Sequence, residues 1–353
     1  MKKDAYLNDI SLAVPANDIH RKFIDFAPSL LEDDRSRGLF RRMAERCQID
    51  HRYSSLKPHP EPAQLDVDGF YRRNRFPDTE RRMQVYQRDA FPLARQALDG
   101  LKLADMKDEI THLIITTCTG FYAPGIDIEV IGHYGLKSSV ERTIVGFMGC
   151  YAGMNALKLA RHIVRSEPGA RVLILNLELC TLHLKETGSL EQMLSFLIFA
   201  DGCSASIVSA DPAGIELQSF HSAVLPSSGD QITWSIGGSG FDMRLSGEVP
   251  RTIAAGLPDC LPDILAGGRT DHFRHWAVHP GGRTILDAVR EGAGIEEDTL
   301  RASREILRRF GNMSSATIMF VLKKIMEQGK GRGCGMAFGP GLTVESMLFQ
   351  QAA

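Results

Sequence analysis

THLIITTC (111–118), YAGMNALKLARHIVRS (151–166) and RVLILNLEL (171–179) are the stretches on which the fold turns. The first and third are β-branched or aliphatic runs of strand length and predict buried strands. In the segment between them, Lys158, Arg161, His162 and Arg165 fall on one face at helical spacing, and the other positions are small or apolar. That pattern predicts a mostly buried helix. SASIVSA (204–210) and HFRHWAVH (272–279) read as further strands. Alternating strands and helices indicate an α/β protein with largely parallel strands.

The second half repeats the order. A strand at 274–279 precedes a helix after Asn312, SSATIMFVLKKIMEQG, and then GCGMAFGPG (333–341). Cys118 and Cys150 are 32 positions apart, and His279 and Asn312 are 33 apart. A duplicated unit with these spacings brings Cys150 and Asn312 onto corresponding loops, with His279 ending the strand that matches 111–118. The halves are expected at 1–212 and 213–353, with the Gly-, Ser- and Pro-rich stretch 211–250 linking them and lining a cavity.

Composition narrows the function. With 353 residues, 43% of them apolar, the chain has material for about two core units. Lys and Arg number 41 against 43 Asp and Glu, which argues against a nucleic-acid footprint. MKKDAYLNDI carries no apolar stretch behind its lysines, so no secretory signal is expected, and the longest apolar runs are too short to span a bilayer. Seven cysteines at 47, 118, 150, 180, 203, 260 and 334 show no zinc-ligand spacing and no disulfide pattern. No metal site, no stable membrane insertion and a reducing, cytoplasmic setting are the expectations.

Three residues carry the candidate chemistry. Cys150, in VGFMGCYAGMNAL, opens a helix, where free N–H groups and the helix dipole favour thiolate. Gly149 and Gly153 let other segments approach it. His279 ends a strand before Pro280, Gly281 and Gly282, where an imidazole can take a thiol proton or donate to a carbonyl. Asn312, in GNMSSA, either caps the next helix or donates to a developing oxyanion without titrating. A nucleophile, a base and a neutral donor suit thioester chemistry. GKGRGCG (329–335) lacks the order of a phosphate loop, and GGSGFD (237–242) does not fit a dinucleotide fingerprint.

MGCYAG, LIFADGCSASIVS, AVHPGGRTILD, GNMSSATIMFVL and AFGPGLTVE, in this order over nearly the whole chain, resemble the type III polyketide synthases, the chalcone-synthase-like condensing enzymes. The resemblance implies a thiolase-type αβαβα fold of two duplicated halves, a homodimer, acyl-CoA and malonyl-CoA as substrates, no cofactor and a place in secondary metabolism. By position, Cys150 resembles the acyl-bearing nucleophile, and His279 and Asn312 resemble the pair serving thiol and enolate. Phe199 matches one gatekeeper phenylalanine, while the second position is occupied by Met243, which suits an aliphatic starter. Cys118 resembles the cavity cysteine of some bacterial members, with a buried strand cysteine as the alternative. Cys180, His183 and Ser314 fall at cavity or substrate positions, although two residues are missing between His183 and Phe199 relative to the family. Arg46 and Arg52 lie where the family puts basic residues for the CoA phosphates, and surface solvation explains them equally well.

The implied reaction loads an acyl-CoA starter, expected to be fatty acyl, onto Cys150. Malonyl-CoA extends it by decarboxylative Claisen condensation, and ring closure gives a pyrone, resorcinol or related phenolic. A single-round ketoacyl synthase, a hydroxymethylglutaryl-type condensing enzyme, a cysteine hydrolase and an inactive thiolase-fold subunit are the alternatives.

Overall fold

The computed structural model describes residues 4–351. One sheet of nine strands dominates it, in the order β11 (His275–Val278), β12 (Gly331–Gly339), β13 (Thr343–Gln351), β8 (Ile215–Val224), β1 (Tyr6–Ala13), β7 (Asp201–Ser209), β6 (Val172–Leu179), β4 (His112–Thr117) and β5 (Glu141–Gly146). Two short ribbons pair β2 (Asn17–Asp18) with β3 (Tyr53–Ser54) and β9 (Ile232–Gly237) with β10 (Gly240–Leu245). The helices in chain order are α1 (His20–Phe26), α2 (Asp34–Arg46), α3 (Thr79–Gly100), α4 (Leu103–Met106), α5 (Ile126–Tyr134), α6 (Ala152–Ser166), α7 (Leu190–Phe196), α8 (Val249–Ile264), α9 (Arg283–Ala293), α10 (Arg301–Phe310) and α11 (Thr317–Met326).

The sheet reads the same outward from its middle in both directions. β1 and β8 meet there antiparallel, Leu7 opposite Ile215. β7 and β13 run antiparallel to these inner strands, and β6 and β12 antiparallel again. β4 and β11 then lie parallel to β6 and β12. β5 extends one side only. The units β4–α6–β6 and β11–α11–β12 are therefore two copies of one arrangement, which is the duplicated α/β architecture expected of the chain.

Period-2 alternation assigns each face of the strands to a core. Ile114 and Ile174 join the central cluster with α6 and α11, while Leu113, Ile115 and Leu173 pack outward with α3. On the other half, Trp276, Val278 and Met336 pack outward with α8 and α9. Helices, one half of the sheet, two central helices, the other half of the sheet and helices make the αβαβα layering. Strands buried on both faces explain why these segments read as continuous apolar runs.

Three elements differ from the sequence reading. The strand expected at 272–279 is confined to His275–Val278, because Thr270–His272 closes a 3-10 turn that leaves His272 exposed. Stretch 211–250 is more than a link: it supplies β8 and the β9–β10 ribbon. β5, ERTIVG, has most of its residues exposed and gave no period to detect.

The two copies touch where Gly153 stands. A Cβ there would lie 2.5 Å from the Ser315 carbonyl oxygen and 2.9 Å from Ile318 Cγ2. This contact holds the Cys150 turn against the Asn312 turn. Gly153→Ala is expected to lower stability by about 1–3 kcal/mol through overpacking, whereas Gly169→Ala, with open space around it, leaves it unchanged. Calorimetric melting of both variants checks this, and equal melting temperatures would remove the close approach as a constraint.

Candidate active site

Cys150 sits in the 3-10 turn Gly149–Tyr151 that leads directly into α6. Gly149 adopts φ +74°, and a Cβ there would meet Pro340 Cδ at 2.3 Å, so glycine lets the β12–β13 turn close over the thiol. Across from it, the Asn312 amide is oriented by its surroundings. Its Oδ1 accepts the Ser314 N–H at 2.9 Å. That leaves Nδ2 facing the cavity, 3.9 Å from Cys150 Sγ, with the Gly281 carbonyl 3.4 Å away. One atom of the amide thus serves the turn before α11, and the other faces the cavity.

His279 follows β11 directly, and its N–H donates to the Met336 carbonyl at 2.8 Å. Its imidazole is buried, and neither ring nitrogen makes a close, well-aligned hydrogen bond. Burial pulls it down to about 3, opposed only by Asn312, so it is neutral. The helix-start position of Cys150 led us to expect a depressed thiol pKa. Burial instead pushes the thiol up to about 11, against bonds from Ser314 and Asn312. Depth of burial, invisible in the sequence, outweighs the helix terminus. Each group alone resists charge.

Cys150, His279 and Asn312 line one cavity of about 740 Å³. Cys118, Cys180, Phe199, Met243 and Ser314 line it too. Phe199 is bound to the catalytic candidate by backbone: Asn312 N–H donates to Ile198 O at 2.8 Å, and Ala200 N–H donates to Asn312 O at 2.9 Å. Met243 reaches in from β10. Cys118 ends β4, where its sulfur accepts the Gly149 N–H at 3.0 Å. A second cavity of about 970 Å³ shares Leu245, Gly281 and Ile285 with the first and carries Arg46 and Arg283 on its wall. The two cavities adjoin at those residues.

Two expected residues sit elsewhere. Arg52 is buried, donating through Nε to His20 at 2.8 Å and through its terminal nitrogen to the Phe196 and Phe199 carbonyls at 2.9 and 2.6 Å. Neither CoA phosphates nor bulk water reach it, and it braces the segment carrying Phe199. His183 does not line the cavity. It accepts the Phe241 N–H at Nδ1, contacts the Thr119 carbonyl at 2.7 Å through Nε2, and stacks on Phe241 at 4.2 Å behind the wall.

Two residues went unnoticed in the sequence. Trp234 lines the cavity and donates Nε1–H to the Cys118 carbonyl at 2.7 Å, and a tryptophan inside a Gly- and Ser-rich stretch was the available signal. Glu178 is fully buried beneath Cys118, accepting its N–H at 2.9 Å and the Thr119 hydroxyl at 2.8 Å. A lone carboxylate within RVLILNLEL demanded such partners.

Residues 11–212 match the family model for chalcone and stilbene synthases, N-terminal domain, and residues 216–353 match the C-terminal domain. An α-pyrone synthesis polyketide synthase-like protein of Mycobacterium tuberculosis is 33% identical over 344 residues, covering 92% of this chain and 85% of the relative. Bisdemethoxycurcumin synthase of Oryza sativa is 33% identical over 379 residues, covering 96% and 90%. The solved type III pentaketide synthase of Neurospora crassa superposes with a TM-score of 0.85 at 25% identity, covering 99% of this chain and all of that one. The type III polyketide synthase domain of a Dictyostelium type I/III hybrid shares the fold at a TM-score of 0.90 and 24% identity, with 99% and 100% coverage.

If thiol and imidazole titrate as a pair, His279→Ala strands the thiol at its burial-raised value. Alkylation of Cys150 at neutral pH is then expected to slow at least about tenfold, one pKa unit of thiolate population, and to regain speed only in alkali. Peptide mass mapping of the alkylated site follows this directly, and identical pH profiles for both proteins would refute the pairing.

Proposed function

Because this chain belongs to the chalcone and stilbene synthase family of type III polyketide synthases, we propose that it loads a fatty acyl-CoA starter onto Cys150, extends it with malonyl-CoA and cyclises the product to a pyrone, resorcinol or related phenolic. The observation that carries the reading is the convergence of Cys150, the neutral His279 and the cavity-facing Asn312 amide nitrogen on one cavity.

In loading, His279 takes the Cys150 proton as sulfur attacks the starter carbonyl, and returns it to the departing CoA thiolate. In extension, the malonyl carbon–carbon bond breaks and carbon dioxide leaves. The electron pair stays as an enolate whose oxygen receives hydrogen bonds from Asn312 Nδ2 and His279. The enolate carbon attacks the acyl thioester, the new carbon–carbon bond forms and Cys150 leaves as thiolate. The imidazole thus accepts in one step and donates in the next. Every step draws on thioester leaving groups and protons held by His279, so the reaction as proposed calls for no organic cofactor or metal.

The aliphatic starter is supported by Met243 at the cavity wall, a flexible side chain where an aromatic would be rigid. The pyrone outcome is supported by the relative named for α-pyrone synthesis. Arg46, without an ion-pair partner among the described residues, is assigned to the CoA phosphates at the entrance cavity. A homodimer is supported by the unpaired outer edge of β5, where Ile144 is 47% exposed beside exposed Phe121 and Met148. Seven free thiols support a cytoplasmic, reducing compartment.

Asn312→Ala should still acquire a starter but decarboxylate malonyl-CoA about 100- to 1000-fold more slowly, the usual cost of one oxyanion donor. Cys150→Ala should give no product. Trapped acyl-enzyme, weighed by mass spectrometry, and released carbon dioxide separate the steps, and normal decarboxylation by the Asn312 variant would contradict its role.

Cavity volume is tested separately. Met243→Phe should reduce turnover of long starters more than short ones, and Cys118→Phe should shorten the polyketide, because packed walls take extra volume only with strain of about 1–3 kcal/mol. Products from starters of graded length decide this. Unchanged starter profile and chain length in both variants would take these residues out of starter and length selection.

A further inference from the structure

At the end of the sheet remote from the thiol, three side chains from three elements converge. His112 opens β4, Glu141 opens β5 opposite it in register, and Glu167 follows the last residue of α6. The His112 side chain is 8% exposed, and its Nε2 stands 3.7 Å from Glu141 Oε2 and 4.0 Å from Glu167 Oε2. The ligand atoms of all three lie within 4.8 Å of one another.

The other ring nitrogen indicates which atom is available. Nδ1 lies 2.8 Å from Thr111 Oγ1, a hydroxyl that also accepts the Arg171 N–H at 3.0 Å and donates to the Arg171 carbonyl at 3.2 Å. All three contacts hold at once when Nδ1 carries the proton, which leaves Nε2 as the ring atom that can meet an incoming ion. That nitrogen faces two carboxylates. Among the described residues neither carboxylate has a lysine or arginine within 4.0 Å. Two carboxylates around one imidazole nitrogen attract positive charge, as a second ring proton or as a metal ion. Separations of 3.7 and 4.0 Å are too long for N–H···O bonds. They approach the separation of about 3.3 Å between neighbouring ligands of a tetrahedral zinc ion with bonds near 2 Å. The glutamates, both largely exposed, have the freedom to close the remainder.

We propose that His112, Glu141 and Glu167 form a site for one divalent transition-metal ion, with zinc the best match to one imidazole, two carboxylates and water. Two carboxylates balance the charge of the ion, and Thr111 fixes the imidazole from behind, as such rings are usually held. The ion ties the first residue of the edge strand β5 to β4 and to the end of α6. β4 spans six residues, which puts the site ~20 Å from Cys118, so its effect is on stability rather than on chemistry.

The test uses the full chain stripped with chelator and titrated with zinc by calorimetry and with cobalt(II) by absorption spectroscopy. One equivalent is expected to bind and raise the melting temperature. Cobalt should show d–d bands without thiolate charge transfer, which sets this site apart from the cavity cysteines. His112→Ala should abolish the uptake. Glu141→Gln/Glu167→Gln, placed at exposed positions that do not carry the fold, should weaken it at least about 100-fold, tenfold or more for each ligand. Absence of uptake, uptake unchanged in the double variant, or a thiolate spectrum each overturns the proposal.

Discussion

The carboxylate of Glu178 is the point on which the rest of the site hangs. It belongs to β6, is fully buried, and accepts from Cys118 N–H, the Thr119 hydroxyl and the Ser315 hydroxyl. The first two lie where β4 ends, in one half of the duplicated fold, and Ser315 lies in the turn after Asn312, in the other. One side chain therefore ties the end of β4, where the Cys118 sulfur accepts the Gly149 N–H beside the nucleophile, to the loop of the amide. Burial raises it from 4.5 to about 7, opposed by those same bonds. Between these values the folded chain holds a proton that the unfolded chain has released, so stability from this group declines as pH rises through that window. The cost is accepted where three donors need one acceptor in a place water does not reach.

A second set of buried charges holds the passage into the cavity. Asp201 accepts from Ser55 N–H, Thr181 N–H and the Thr181 hydroxyl, fixing the turn that carries Cys180. Arg52, stacked on Phe23, grips the carbonyls on both sides of the Phe196–Phe199 segment. The ring of Phe199 is thus held from its backbone, which in turn bridges to Asn312. The cavity walls are apolar, while their positions are set by ionic and polar groups behind them.

The sequence disclosed the parts whose signal is periodic. β4, α6 and β6, with their counterparts β11, α11 and β12, are buried on both sides and read as aliphatic runs at the right lengths. Cys150, His279 and Asn312 stood out because glycine and proline around them mark turns where chain segments crowd together. β5 gave no such pattern, since its residues face outward at an edge. Arg52 and His183 were misjudged for a common reason: a charged or titratable residue in a linear sequence carries no statement of depth, and depth decides whether it meets ligand or braces the wall. The thiol pKa failed for the same reason, in the opposite direction to the helix-terminus argument.

His279 is the exception that gives the arrangement its direction. Glu178, Asp201, Asn312 and His183 all have their polar atoms paired inside the protein. His279 alone among these buried site groups has both nitrogens orphaned, each at a cost of about 1–3 kcal/mol. A wall residue with that deficit would be replaced by an apolar one at no loss of packing. In the proposed reaction the ring's partners are a thiol proton in one step and an enolate oxygen in the next. A ring tied tightly into the protein would serve one of those steps at the expense of the other. The loosely held imidazole thus suits the accepting and donating role proposed for it, and the satisfied groups around it hold it in place.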